Sequence, residues 1–172
     1  WKWFNALGSL SDRYAKFYLA VQKEAEKIDP NATVMGFGYA NFTDPPRKTK
    51  LNNRVIIVYV PNFMFPFTTK KIDLEHKQWD AWGKTGASML LRSNYFLQLH
   101  SMPLFFARKF GNDFQYLSGG GLIATAFDSL TGQWSIQGPN LYMLGRLQTQ
   151  PRRPVGEILE EYYGGFGRAK DA

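Results

Sequence analysis

The chain contains no cysteine and only two histidines, His76 and His100. Without thiols there is no disulfide scaffold, no thiolate nucleophile, no iron–sulfur cluster and no cysteine-based zinc site. Two histidines also exclude a three-histidine metal centre. No apolar run reaches the roughly 18 residues that cross a bilayer, so no membrane span is expected. There is no Gly-x-Ser-x-Gly elbow to present a serine nucleophile. The segment Trp82-Gly83-Lys84-Thr85 imitates the end of a phosphate-binding loop. It has Gln78 where the first glycine belongs, however, and it precedes a strand instead of following one. These absences leave no residue set that calls for a cofactor. Internal repeats, low-complexity tracts and linkers are missing too, so a single domain over residues 1–172 is expected.

What is present is an ordinary globular composition with one excess. The 172 residues are 44% hydrophobic and 20% charged, enough to bury a core of their own. The formal net charge of +7 is scattered. Its densest run is Arg47, Lys48, Lys50 and Arg54, followed by the pairs Lys70-Lys71 and Arg152-Arg153. No basic helix or basic–aromatic strand accompanies it, so no nucleic-acid partner is expected. The excess is aromatic: 14 Phe, 9 Tyr and 5 Trp make up 16% of the chain. Most of these belong to the core, but several Tyr and Trp stand beside Asn, Asp, Arg and Gly near strand ends. Such a platform suits a sugar, whose C–H face stacks on an aromatic plane while its hydroxyls bond to carboxylates, amides and guanidinium groups. The chain opens on Trp1-Lys2-Trp3-Phe4, with neither an initiator methionine nor a signal-like apolar run, which leads to the expectation of a piece of a longer protein.

Periodicity predicts a helix over residues 11–28, with Tyr14, Phe17, Tyr18, Val21, Ala25 and Ile28 as its apolar face, Ser11 or Asp12 as its cap and Asp29-Pro30 as its stop. Four strands are expected: Thr33–Tyr39, Arg54–Val60, Ala87–Arg92 and Gly121–Phe127. The β-branched run Arg54–Val60 carries the mark of a strand buried on both faces. Helical patterns fill residues 71–83, 103–117, 139–149 and 154–163, with Gly111 a break within the second of them. Residues 42–53, containing Asp44-Pro45-Pro46, read as a loop. Alternating strands and helices imply a parallel α/β sheet. A complete (β/α)₈ barrel takes about 250 residues, so four strands make about half of one. A small doubly wound domain is the alternative.

In either fold, ligands meet the carboxyl ends of the strands. Those ends deliver Tyr39 and Asn41, then Tyr59 and Asn62, then Arg92, Asn94 and Tyr95, and finally Asp128 with Trp134 nearby. These are the candidate substrate-binding residues, with Asp128 the candidate catalytic group. Directly after Phe127, Asp128 serves either as an acid, base or hydroxyl acceptor, or as a carboxylate capping the turn with Ser129. Asp44, beside two prolines, reads as a turn residue. Glycosidic chemistry usually takes two carboxyl groups, and a second one would come from outside this chain.

The stretch Phe127-Asp128-Ser129-Leu130-Thr131-Gly132-Gln133-Trp134, continuing through Gly138-Pro139-Asn140-Leu141-Tyr142 to Glu160-Glu161-Tyr162-Tyr163 and Phe166-Gly167, resembles a bacterial domain family of unknown function. That family is found in large secreted proteins and is similar to α-glucuronidase and β-hexosaminidase barrels. Gly36-Phe37-Gly38-Tyr39, Pro45-Pro46 and Arg54–Val58 also look like its middle portion. The resemblance implies a partial TIM-type barrel, a secreted or periplasmic location and carbohydrate as ligand, with the rest of the barrel as partner. Where similar barrels present glutamate near a strand end, this chain has Thr125 and Asp128. Two functions are therefore carried forward: a fragment of a glycoside-hydrolase-like protein acting on a polysaccharide or oligosaccharide, and a non-catalytic glycan-binding domain.

Overall fold

A computed structural model of the chain describes residues 9–61, 66–95, 104–128 and 134–168. These fall into two compact units, one built from residues up to Tyr95 together with Gly120–Asp128, the other from the remaining segments.

The first unit is the α/β part. In chain order it contains helix α1 (Leu10–Ala25), strand β1 (Val34–Gly38), a 3₁₀ turn (Ala40–Phe42), β2 (Val55–Tyr59), helix α2 (Thr69–Gly83), β3 (Ser88–Ser93) and β4 (Leu122–Phe127). The strands form one parallel sheet in the order β1-β2-β3-β4. Sequential order without a reversal has no topological switch point, which separates it from a doubly wound sheet. The fold is α/β with a four-stranded parallel sheet, in the arrangement of a partial barrel. All four strands stand where alternation and β-branching predicted them.

Register decides which side chains share a face. Val34, Gly36 and Gly38 align with Val55, Ile57 and Tyr59, and Ile57 and Tyr59 align with Met89 and Leu91. This face is covered by helices. Val55, Ile57, Tyr59, Met89 and Leu91 are at most 1% exposed, and Trp79 and Trp82 of α2 are wholly buried. The Trp82 indole N–H donates to the Thr43 carbonyl at 2.7 Å, and that of Trp79 to Gly120 at 3.2 Å. The opposite face carries Met35, Phe37, Ile56, Leu90, Arg92 and Ala124, all half-buried or exposed, with Val58 buried among them.

Helix α1 is rotated from its predicted setting. The buried residues are Ser11, Asp12, Ala15, Tyr18 and Gln22, while Tyr14, Phe17, Val21 and Ile28 lie exposed. Ser9 caps the helix, its Oγ accepting from the Asp12 amide, and the helix ends at Ala25, before Asp29-Pro30. The reason is Asp12. Its carboxylate, 3% exposed, accepts from the Arg47, Lys48 and Thr49 amides at 3.1, 3.0 and 2.8 Å, and from the Ser9 and Thr49 hydroxyls at 2.7 and 2.8 Å. These bonds turn the polar side of α1 inward, onto the loop that precedes β2. Burial by itself pushes the Asp12 carboxyl upward. The bonds from Ser9, the Lys48 and Thr49 amides and the Thr49 hydroxyl outweigh it and hold the group well below the usual carboxylate range.

Tyr18 closes one margin of the sheet. Val34 donates to Arg54 and Gly38 accepts from Val60, so alternate β1 residues bond to β2 and the Phe37 amide and carbonyl point away from it. The Tyr18 hydroxyl takes both, accepting from the Phe37 N–H at 3.1 Å and donating to its carbonyl at 3.0 Å. Gly36 makes room for this: a Cβ there would overlap the Tyr18 ring.

The second unit consists of helices α3 (Ala107–Gly119), α4 (Trp134–Thr149) and α5 (Val155–Gly164). Gly111 does not break α3. A Cβ at this position would come within 2.7 Å of Val155 and 3.2 Å of the Met143 sulfur, so glycine serves close packing. Pro103 lies outside the described residues. Helix α4 begins at Trp134, five residues before the predicted start. Pro139 sits inside it, and the carbonyl its missing N–H leaves free is that of exposed Ser135. The Asn140 amide accepts from Phe106 N–H at 2.9 Å and donates to the Leu104 carbonyl at 2.7 Å. Glu161 joins α4 to α5: the Tyr142 hydroxyl donates to it at 2.5 Å, and Arg146 and Arg153 pair with it. The Tyr142 bond first, and then the two arginines against the opposing pull of partial burial, lower its carboxyl to about 2.

Two outcomes follow from these contacts. Asp12→Ala is expected to lower stability by about 3 kcal/mol, since it strands three loop amides. The folded-state pKa of Asp12 is depressed, so its contribution is complete above the unfolded value near 4 and is lost as pH falls below it. Urea unfolding from pH 7 down to pH 3 is expected to show a flatter stability profile in Asp12→Asn than in the native chain; equal slopes would refute the linkage. Gly36→Ala is expected to cost about 2 kcal/mol through overlap with Tyr18, and Tyr18→Phe about 1 kcal/mol. Thermal unfolding followed by circular dichroism measures both.

Candidate functional site

At the carboxyl edge of the less covered face two of the predicted residues, Arg92 and Asp128, meet. Arg92 is the fifth residue of β3 and is in register with Ala126 of β4. Side chains alternate along a strand, so Arg92, Ala126 and Asp128 share that face. The Arg92 Nη2 lies 2.6 Å from the Asp128 Oδ2, with the two side chains 28% and 34% exposed. At that exposure the pair contributes little to stability. What it does is hold guanidinium donors and a carboxylate side by side. Asn94 follows two residues after Arg92, half-buried, and its side-chain oxygen is inaccessible and has no hydrogen-bond partner among the described residues. A buried acceptor left without a donor is uncommon, and each such case asks for an explanation.

The other predicted residues are distributed differently. Tyr39, 44% exposed, leaves β1 in extended conformation and leads into the 3₁₀ turn. Ala40 follows with φ +50°, a left-handed setting uncommon outside glycine, which swings the chain off the line of the strand. Asn41 is exposed on that turn. β1 is two strands from β3, about 10 Å across the sheet. Tyr59 is wholly buried beneath the helices, where its hydroxyl donates to the Gln78 side-chain oxygen at 2.9 Å. Tyr95 is 4% exposed and packs edge-on against Phe67. Asn62 and the side chain of Trp134 lie outside the described residues. Thr125 is in register with Leu91, on the helix-covered face.

The structure thus brings together Arg92 and Asp128, with Asn94 two residues on, and sets Tyr39 and Asn41 at the far strand. Tyr59 and Tyr95 are packed inside. Sequence reasoning passed over Lys71, Glu75 and Gln78 of α2. Their 71-74-75-78 spacing, counted with Leu74, puts all of them on one helix face, which was the available signal. Asp44 stands at a bend of the loop, as a turn residue does, and its carboxylate also accepts from the Gln78 amide at 2.7 Å.

Chemically, an arginine–aspartate pair offers donors and acceptors at the spacing of neighbouring hydroxyls. Among the described residues no group of three or more His, Asp or Glu is placed to hold a metal ion, and no helix is long and apolar enough to cross a membrane.

Comparison with curated proteins and with solved structures finds no match. A family model covers nearly the whole chain, matching residues 2–172 under the description "Domain of unknown function (DUF4838)". The chain belongs to that family.

Proposed function

We propose that this chain is a carbohydrate-recognising segment of a secreted or periplasmic glycoside-hydrolase-like protein, with the Arg92–Asp128 pair as its sugar contact. The observation that carries the reading is the pairing itself: two residues 36 positions apart, each at a strand end, meet at 2.6 Å on the carboxyl edge of a sequential parallel sheet. In barrels built from such sheets that edge is where ligands bind and where catalytic residues stand. Arg92 donates to sugar oxygens, and Asp128 accepts from adjacent hydroxyls. Exposed Tyr39 offers a stacking surface. Further strands of the same protein complete the ligand's surroundings and supply the second carboxyl group.

The alternative, a glycan-binding domain without turnover, is favoured by the same ion pair, because Asp128 is already engaged by a guanidinium. The two separate experimentally. On a glycan array, the chain is expected to retain selected polysaccharides, and Arg92→Ala to weaken retention by about tenfold or more, with Tyr39→Ala weakening it less. In the natural polypeptide carrying this segment, Asp128→Asn is expected to lower glycoside cleavage by about a hundredfold with binding retained. Unchanged cleavage with weakened binding assigns Asp128 to recognition, and indifference of both assays to Arg92 and Asp128 overturns the sugar reading.

A further inference from the structure

A second site lies on the opposite side of the sheet from the Arg92–Asp128 pair. Between the 3₁₀ turn after β1 and one face of α2 is a cavity of about 310 Å³, lined by Asn41, Asp44, Lys71, Leu74, Glu75 and Gln78 with Ala40 and Thr43. This volume falls at the lower end of the range for small-molecule pockets.

Its walls are fixed by bonds that start deep in the unit. The wholly buried Tyr59 hydroxyl donates to Gln78, whose amide donates in turn to Asp44. The Ser11 hydroxyl holds the Asp44 carbonyl at 2.5 Å, and the Trp82 indole holds that of Thr43. The Gln78 and Asp44 side chains are therefore preset instead of swinging freely. Glu75 is 1% exposed, so a carboxylate has been taken out of bulk water at the cavity wall. Beside it on the same helix face, Leu74 is 54% exposed and gives the cavity an apolar flank.

The lining holds groups of both kinds: the Asn41 amide, the Lys71 ammonium, which also donates to the Pro66 carbonyl at 3.1 Å, and the Glu75 and Asp44 carboxylates. The charges of both signs are interspersed, with no cluster of like sign to select a strong ion. That distribution suits a molecule with several hydroxyl groups, each both donor and acceptor, and one C–H face to lie on Leu74. We propose that this cavity binds a small neutral polyhydroxylated molecule, of the size of one sugar ring or a cyclic polyol. The site stands independently of the sheet-edge reading, since it uses different residues on the other face.

The test is a titration of the ¹⁵N-labelled chain with glucose, galactose, mannose and myo-inositol to tens of millimolar. Side-chain amide resonances of Asn41 and Gln78 report this cavity, and the Arg92 Nε–H resonance reports the sheet edge, so failure of one reading is distinguishable from failure of the other. Saturable shifts of both amides with at least one probe are expected. Leu74→Trp, which fills the cavity from its exposed flank and leaves the core untouched, is expected to abolish them. Glu75→Gln is expected to weaken binding by about tenfold. Absence of shifts with every probe overturns the proposal, as does their persistence in Leu74→Trp. Tighter binding of glucosamine or glucuronate than of any neutral probe would overturn the assignment of a neutral ligand.

Discussion

The first unit is organised around one buried charge. Removing a carboxylate from water costs several kcal/mol unless it is fully bonded, and Asp12 reaches that condition through the Ser9 and Thr49 hydroxyls and through amides 35 to 37 positions away. The loop between β1 and β2 has no helix to give it shape. It takes its shape from converging on this carboxylate, and the basic run Arg47-Lys48 is placed through its backbone, with its charges left at the surface. The same arrangement presents Ser11 to the Asp44 carbonyl, which sets the wall of the cavity beside α2. Helix orientation, loop path and cavity are consequences of a single set of hydrogen bonds.

Much of the fold was readable because its signals are local. A β-branched run such as Val55–Tyr59 states its own burial, and strand–helix alternation leads to parallel pairing. The facing of α1 was not readable in the same way. Apolar periodicity locates a helix correctly, but it assumes that apolar side chains turn inward. Here Ser11, Asp12 and Gln22 are inside, and Phe17 is 61% exposed. A polar residue whose partners are distant backbone amides leaves no trace in a local pattern. Pro139 and Gly111 misled for a related reason: each is unfavourable in an isolated helix and tolerated where exposure or close packing compensates.

The candidate site was legible in part. Position along a strand follows from where the strand ends, and this brought Arg92 and Asp128 into view. Which face a strand-end residue occupies follows from register, and register is set by neighbouring strands. Tyr59 and Arg92 stand at equivalent ends yet on opposite faces, one bonded under a helix and the other paired across the sheet. Lys71, Glu75 and Gln78 share a helix face with Leu74, a pattern indistinguishable in sequence from an ordinary solvated stripe. Only the turn folded against it turns that stripe into a wall.

Because the Tyr18 hydroxyl already satisfies the outward-facing backbone of Phe37, the β1 margin offers an added strand fewer open partners. A strand arriving from another molecule, or from elsewhere in the same one, meets the Tyr18 hydroxyl where the Phe37 backbone would otherwise pair. Among the described residues β1 and β4 are both edge strands, and the phenol contact belongs to β1. A single phenol thus occupies two backbone groups that an added strand would otherwise use.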